Sequence, residues 1–162
     1  MTRTIPHFVG GTHRTPDAGR FADVFDPSSG TVQARVPLAS ADEVSDVIAN
    51  AAAAQVEWAA TNPQKRARVL LRFLDLAQRE MQSLAELLAS EHGKTVDDAK
   101  GDIQRGLEVI EFSAGAPHLL KGEYSTGAGA GIDVYSMRQP LGVVAAITPF
   151  NFPAMIPLWK AG

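Results

Sequence analysis

Cysteine is absent from the 162 residues. Disulfides, thiolate metal sites and a cysteine nucleophile are therefore excluded within this chain. The absence agrees with a reducing compartment and so with a cytoplasmic location. Aromatic residues make up 7%, too few for a base-stacking surface. There is no basic run and no acidic tail, and the formal net charge is -3. Phosphate binding needs clustered Lys and Arg, so nucleic acid is not expected as the main partner. The longest apolar stretch, around Leu141 to Ile147, is far too short to span a bilayer. The start of the chain, Met1 to Pro6, has no apolar core of the kind a secretory signal needs. His7, His13, His92 and His118 lack metal-ligand spacing. They read as surface or capping residues, and no metal site is expected.

What is present suits one globular domain, with 45% hydrophobic and 20% charged residues. Residues 7–37 read as extended. His7 to Gly11 suggests a strand and turn, and Asp26-Pro27-Ser28-Ser29-Gly30 is a second turn with strong breaker chemistry. Phe21 to Phe25 and Thr31 to Val36 are short β-type runs, so a small antiparallel set is expected. Ser40 and Glu43 form a capping box for a helix with Val44, Val47, Ile48, Ala51 and Ala52 at helical spacing up to Trp58. Asn62-Pro63 opens a second helix. Its stripe is Leu70, Phe73, Leu74, Ala77, Met81, Leu84 and Leu88, and Gly93 ends it. Thr95 and Asp98 cap a third, with stripe Ala99, Ile103, Leu107, Ile110 and Ala114, stopped by Gly115 and Pro117. Asp97 and Asp98 read as first-turn charge on that helix.

Residues 121–140 are glycine-rich and hairpin-like, and Tyr135 to Arg138 alternates like a strand. The apolar run Leu141 to Ile147 has the pattern of a strand buried on both faces, as in a parallel sheet. Thr148 to Pro153 is the turn leaving it, and a helix over Ala154 to Lys160 follows. Such a strand needs parallel neighbours brought in by crossovers, and only the short early strands are available. Layer rules favour a piece of a larger α/β protein over an unusual fold.

Gln139-Pro140-Leu141-Gly142-Val143-Val144-Ala145-Ala146-Ile147-Thr148-Pro149-Phe150-Asn151-Phe152-Pro153 resembles the first cofactor-domain strand and loop of the aldehyde dehydrogenase superfamily. His92-Gly93-Lys94-Thr95 resembles the family's helix-ending Gly-Lys motif, and Asp26 to Gly30 its early turn. Phe150, the segment Pro153 to Trp159 and the segment Gly101 to Glu111 resemble the CoA-acylating branch that acts on malonate and methylmalonate semialdehydes. The resemblance implies the N-terminal portion of that α/β fold: short strands, three helices, an oligomerisation hairpin and the first strand of a Rossmann-like sheet. It implies an incomplete NAD-binding domain over 1–162, with 121–140 as part of the hairpin and the catalytic domain missing. It further implies NAD as cofactor, CoA as co-substrate and a homo-oligomer, dimer or tetramer, when complete. The branch works in valine and inositol breakdown. Its reaction proceeds by thiohemiacetal formation, hydride transfer to NAD and thioester transfer to CoA.

By the same resemblance, Asn151 supplies an oxyanion donor through its side-chain amide. On its own residue type it reads rather as a turn Asn bonding its own backbone. Thr148, Pro149, Phe150 and Ile147 are implied to contact the nicotinamide end of NAD, at the carboxyl end of the strand. The alternative is plain loop packing. Arg105 lies off its helix's apolar stripe. A guanidinium fork suits the substrate's carboxylate, while i,i+3 spacing also suits a surface pair with Asp102 or Glu108. Trp58 and Trp159 read as packing residues. Gly127 to Gly131 is not a dinucleotide fingerprint, because no helix opens after it. Two other readings stay open: a general semialdehyde dehydrogenase forming a free acid, and a non-catalytic interaction module.

Overall fold

The computed structural model describes residues 2–15 and 19–162; residues 16–18, inside the stretch read as extended, lie outside the described set. The early strands are β1 (Arg3–Thr4), β2 (His7–Val9), β3 (Thr12–Arg14), β4 (Arg20–Phe25) and β5 (Val32–Leu38). β4 and β5 pair antiparallel, as do β2 and β3. The antiparallel pairing expected over 7–37 is thus present, and ahead of that stretch β1, a strand not expected from the sequence, pairs with β5 in parallel. The Asp26 turn has the expected chemistry. Its carboxylate accepts from the Ser28 N–H at 2.8 Å and the Ser29 hydroxyl at 3.0 Å, and Gly30 takes φ 71°. The Ser28 N–H, then the Ser29 hydroxyl, hold the Asp26 carboxyl below its ordinary value. The stabilisation this gives is present above the ordinary pKa and is lost as pH falls through the lowered one.

Four long helices follow. α1 (Ala41–Ala60) starts at the complete Ser40/Glu43 capping box. α2 (Pro63–Arg79) is capped by Asn62, whose side chain accepts from the Gln64 N–H. The second helix expected from the sequence is in fact two: α3 (Met81–His92) restarts after Glu80, whose ψ of 10° breaks the regular turn. Gly93 ends α3 in the left-handed region at φ 83°. α4 (Val96–Ala114) is capped by Thr95, which accepts from the Asp98 N–H. Its inward stripe is Ala99, Ile103, Leu107 and Ile110, joined by Asp102 and Gly106. Ala77, Ala85, Ala99, Ile103 and Leu107 form the core, with Leu74, Met81, Leu88 and Leu158 packed against it. α1 departs from expectation. Val44, Val47 and Ile48 stay exposed, and only the β2–β3 hairpin approaches that helix, near Val47 and Asn50.

The hairpin is β6 (Tyr124–Gly129) and β7 (Ile132–Tyr135). Asp133 ties it, accepting from the Tyr124 hydroxyl at 2.6 Å and the Gly127 N–H at 2.9 Å. The strand character expected through Arg138 ends at Tyr135. The larger correction concerns 141–147. That run is not a strand here, and Leu141 is 94% exposed. A buried parallel strand exists only with neighbours to receive its N–H and C=O groups, and none lies beside it among the described residues. The last helix, α5 (Met155–Ala161), packs on α4, in place of the expected 154–160. The accessible surface is 11693 Å², against roughly 7,800 Å² for a compact monomer of this mass. Much apolar surface is thus left uncovered.

Candidate active site

The loop 147–154 leads from the unpaired run into α5, and α5 is what places it. Gly106 makes that docking possible. A Cβ there would lie 2.5 Å from Leu158 Cδ1 and 3.1 Å from the Met155 Cα. The Trp159 indole N–H donates to the Arg105 carbonyl at 3.3 Å, so Trp159 packs across the helix pair as expected.

Beneath the loop lies a group of charges. The Asp102 residue is 2% exposed, and its Oδ1 accepts from the Met155 N–H at 3.1 Å. Its Oδ2 stands 3.5 Å from Lys94 Nζ. The Lys94 side chain is 9% exposed, and its Nζ lies 3.0 Å from Asp98 Oδ2 and 5.5 Å from the Phe152 ring centroid. Asp102 is therefore not the surface partner of Arg105 that spacing allowed. Arg105 stands on the exposed side of α4 and makes no ion pair among the described residues.

Asn151, Thr148 and Pro149 are exposed, as are Ile147 at 90% and Phe150 at 87%. Asn151 makes no side-chain hydrogen bond among the described residues, so the turn-Asn alternative gains no support. Ile147 and Phe150 are apolar side chains left exposed on the loop. The Gly127–Gly131 segment leads into β7 and opens no helix, so it is no pyrophosphate cradle. The structure does not bring Arg105 and Asn151 into side-chain contact, but it hangs both on the same α4–α5 pair.

Lys94, Asp102 and Gly106 were not singled out from the sequence as site-forming. A signal existed: Asp102 and Gly106 fall on the apolar stripe of α4 beside Ala99, Ile103 and Leu107. A charge in such a row is a buried charge. His7 and His92 are half-buried rather than on the surface. No cluster of metal-ligating side chains occurs among the described residues, and no described helix is long and apolar enough to cross a membrane.

The early turn meets the Gly-Lys motif directly. A Cβ on Gly93 would come within 2.9 Å of Pro27 Cγ. Gln33 Nε2 also donates to the Ser90 carbonyl at 3.0 Å, docking the sheet on the end of α3.

Known proteins share this fold. A malonate-semialdehyde dehydrogenase of Pseudomonas aeruginosa is 48% identical over 96% of this chain and 31% of its own length. An acylating, mitochondrial methylmalonate-semialdehyde dehydrogenase of Arabidopsis thaliana is 42% identical over 98% of the chain and 26% of its own length. A Sinorhizobium meliloti protein described as a methylmalonate-semialdehyde dehydrogenase, solved with NAD, superposes with TM-score 0.94 at 54% identity. That match covers 98% of this chain and 32% of that one. The chain thus spans about a third of the length of the relatives it matches. The aldehyde dehydrogenase family pattern matches residues 13–162, and the chain belongs to the aldehyde dehydrogenase family.

Proposed function

We propose that the chain is the N-terminal third of an NAD-dependent, CoA-acylating (methyl)malonate-semialdehyde dehydrogenase, an incomplete NAD-binding domain over 1–162. The observation that carries this reading is the 54% identity, across 98% of the chain, to a protein so described. The complete enzyme converts an acid semialdehyde, NAD and CoA into acyl-CoA, NADH and carbon dioxide. It is a cytoplasmic homo-oligomer, a dimer or tetramer.

Within it, Asn151 donates its amide N–H to the oxyanion formed when a thiolate from the missing part attacks the aldehyde. Such a donor is worth about 2.7–4 kcal/mol of barrier. Its freedom from other side-chain hydrogen bonds here leaves the amide available. Ile147, Thr148, Pro149 and Phe150 line the nicotinamide end, where NAD supplies the hydride acceptor when bound. Arg105 binds the substrate's carboxylate through its guanidinium fork. Its exposure and the lack of an ion-pair partner among the described residues support that role. In an enzyme of full family length carrying this segment, Arg105→Ala is expected to raise KM for the acid semialdehyde about tenfold or more, the worth of a charge-assisted hydrogen bond, with little change in kcat. An unchanged KM removes Arg105 from the site.

A second reading, a non-catalytic interaction module, is favoured by the outward Ile132, Val134 and Tyr135 of the hairpin. Sedimentation of the purified chain separates the two. A discrete dimer or tetramer supports a module built on the hairpin. Heterogeneous aggregate supports an unfinished enzyme whose apolar faces await cover.

A further inference from the structure

We infer that Lys94 and Asp102 are positioning residues: together they clamp both ends of Phe152–Met155 and so set where Asn151 stands. The inference rests on the role given to Asn151 above, while the clamp is visible in the geometry itself.

The start of a helix leaves backbone N–H groups without partners. In α5 the residue at the cap is Ala154, which has no side chain able to accept from them. The acceptor comes instead from another helix, where Asp102 Oδ1 takes the Met155 N–H at 3.1 Å. A carboxylate at that point also faces the positive end of the helix dipole. At the other end of the segment, Lys94 Nζ sits 5.5 Å from the centre of the Phe152 ring, within cation–π range. The two anchors are coupled through the 3.5 Å approach of Lys94 Nζ to Asp102 Oδ2. Lys94 in turn follows Gly93, whose left-handed backbone turns the chain out of α3.

The alternative is a salt bridge that only stabilises the helices. Burial speaks against it. Removing a lysine and a carboxylate from water costs more than a well-packed apolar pair would, so stability alone does not call for this pair. Asp102 Oδ2 has no hydrogen-bond partner among the described residues, and Lys94 is the counter-charge that approaches it. What the pair gains is register. It links the end of α3, the middle of α4 and the start of α5 at one point, directly under the residue next to Asn151.

The test uses the 162-residue chain and reads nuclear magnetic resonance signals, so its outcome is independent of turnover and of the dehydrogenase reading. In the unaltered chain, the Met155 amide is expected to exchange with solvent far more slowly than that of exposed Leu141. Asp102→Asn, which keeps an acceptor but drops the charge, is expected to speed Met155 exchange by about tenfold or more. Lys94→Met is expected to shift the Phe152 ring resonances and speed Met155 exchange in parallel, and Lys94→Arg, which keeps the cation, to recover most of both. The Leu107 amide, in the core of α4, reports the fold and should keep its protection throughout. The clamp is overturned if Met155 exchanges as fast as Leu141 in the unaltered chain. It is also overturned if Met155 and Phe152 are unmoved by Lys94→Met, or if Lys94→Arg behaves as Lys94→Met does. Should a variant lose Leu107 protection, the unaltered chain's Met155 measurement still decides the tether.

Discussion

Purified chain of these 162 residues, mixed with NAD, CoA and any aldehyde, is expected to form no NADH above a boiled control. The family's chemistry begins with a thiolate attacking the aldehyde carbon, and the chain contains no cysteine. Loss of a catalytic nucleophile alone costs on the order of a millionfold in rate, which places turnover below detection. Asn151 cannot compensate, because an oxyanion donor acts only once an oxyanion exists. The exposed run 141–147 adds a second obstacle. The loop proposed to meet the nicotinamide hangs from a segment that no sheet holds among the described residues, and its anchor lies on the α5 side. Absorbance at 340 nm checks the outcome. Clear turnover would overturn both the mechanism assigned to the complete enzyme and the account of this chain as part of one.

The second large effect is expected on stability. Asp102→Ala removes a carboxylate that is 2% exposed and leaves the largely buried Lys94 ammonium facing a gap. Deleting one partner of a buried pair typically costs about 3–5 kcal/mol. The lower part of that range applies, since Asp98 still lies 3.0 Å from Lys94 Nζ. The Met155 N–H loses its acceptor in the same step, which releases the start of α5. Total stabilities of single domains run about 5–15 kcal/mol, and the large exposed surface places this chain toward the low end. The variant should therefore lose most of its cooperative urea transition followed by circular dichroism. A midpoint within experimental error of the unaltered chain would show that Asp102 is not a structural hub. Ser40→Ala is the useful contrast: it disturbs an exposed cap and should cost only about 1 kcal/mol.

The legible parts of this protein are those in which cause and effect lie within a few residues. The caps at Ser40, Asn62 and Thr95 and the stop at Gly93 depend on one side chain or one backbone angle and the turn beside it. They stand where the sequence placed them. The same holds for the Asp26 turn, while the hairpin expected over 121–140 narrows to 124–135. The break at Glu80 was not legible, because the apolar stripe runs on through it and Glu is a good helix former. The bend comes from α2 and α3 each packing separately on α4.

The loop ending in Asn151-Phe152-Pro153 pointed by itself to the family, and the cysteine-free composition to the expectation that this chain shows no turnover. Tertiary structure decided three further matters. It left 141–147 unpaired, since a strand's hydrogen bonds belong to its neighbours and not to its own residues. It placed α5 against Gly106, a closeness no single-helix pattern encodes. It also took Asp102 away from Arg105 and gave it to Lys94 and Met155. Sequence spacing brings together residues three or four apart on one helix, whereas burial between helices selects partners 8 and 53 positions away and outweighs any pairing along the surface.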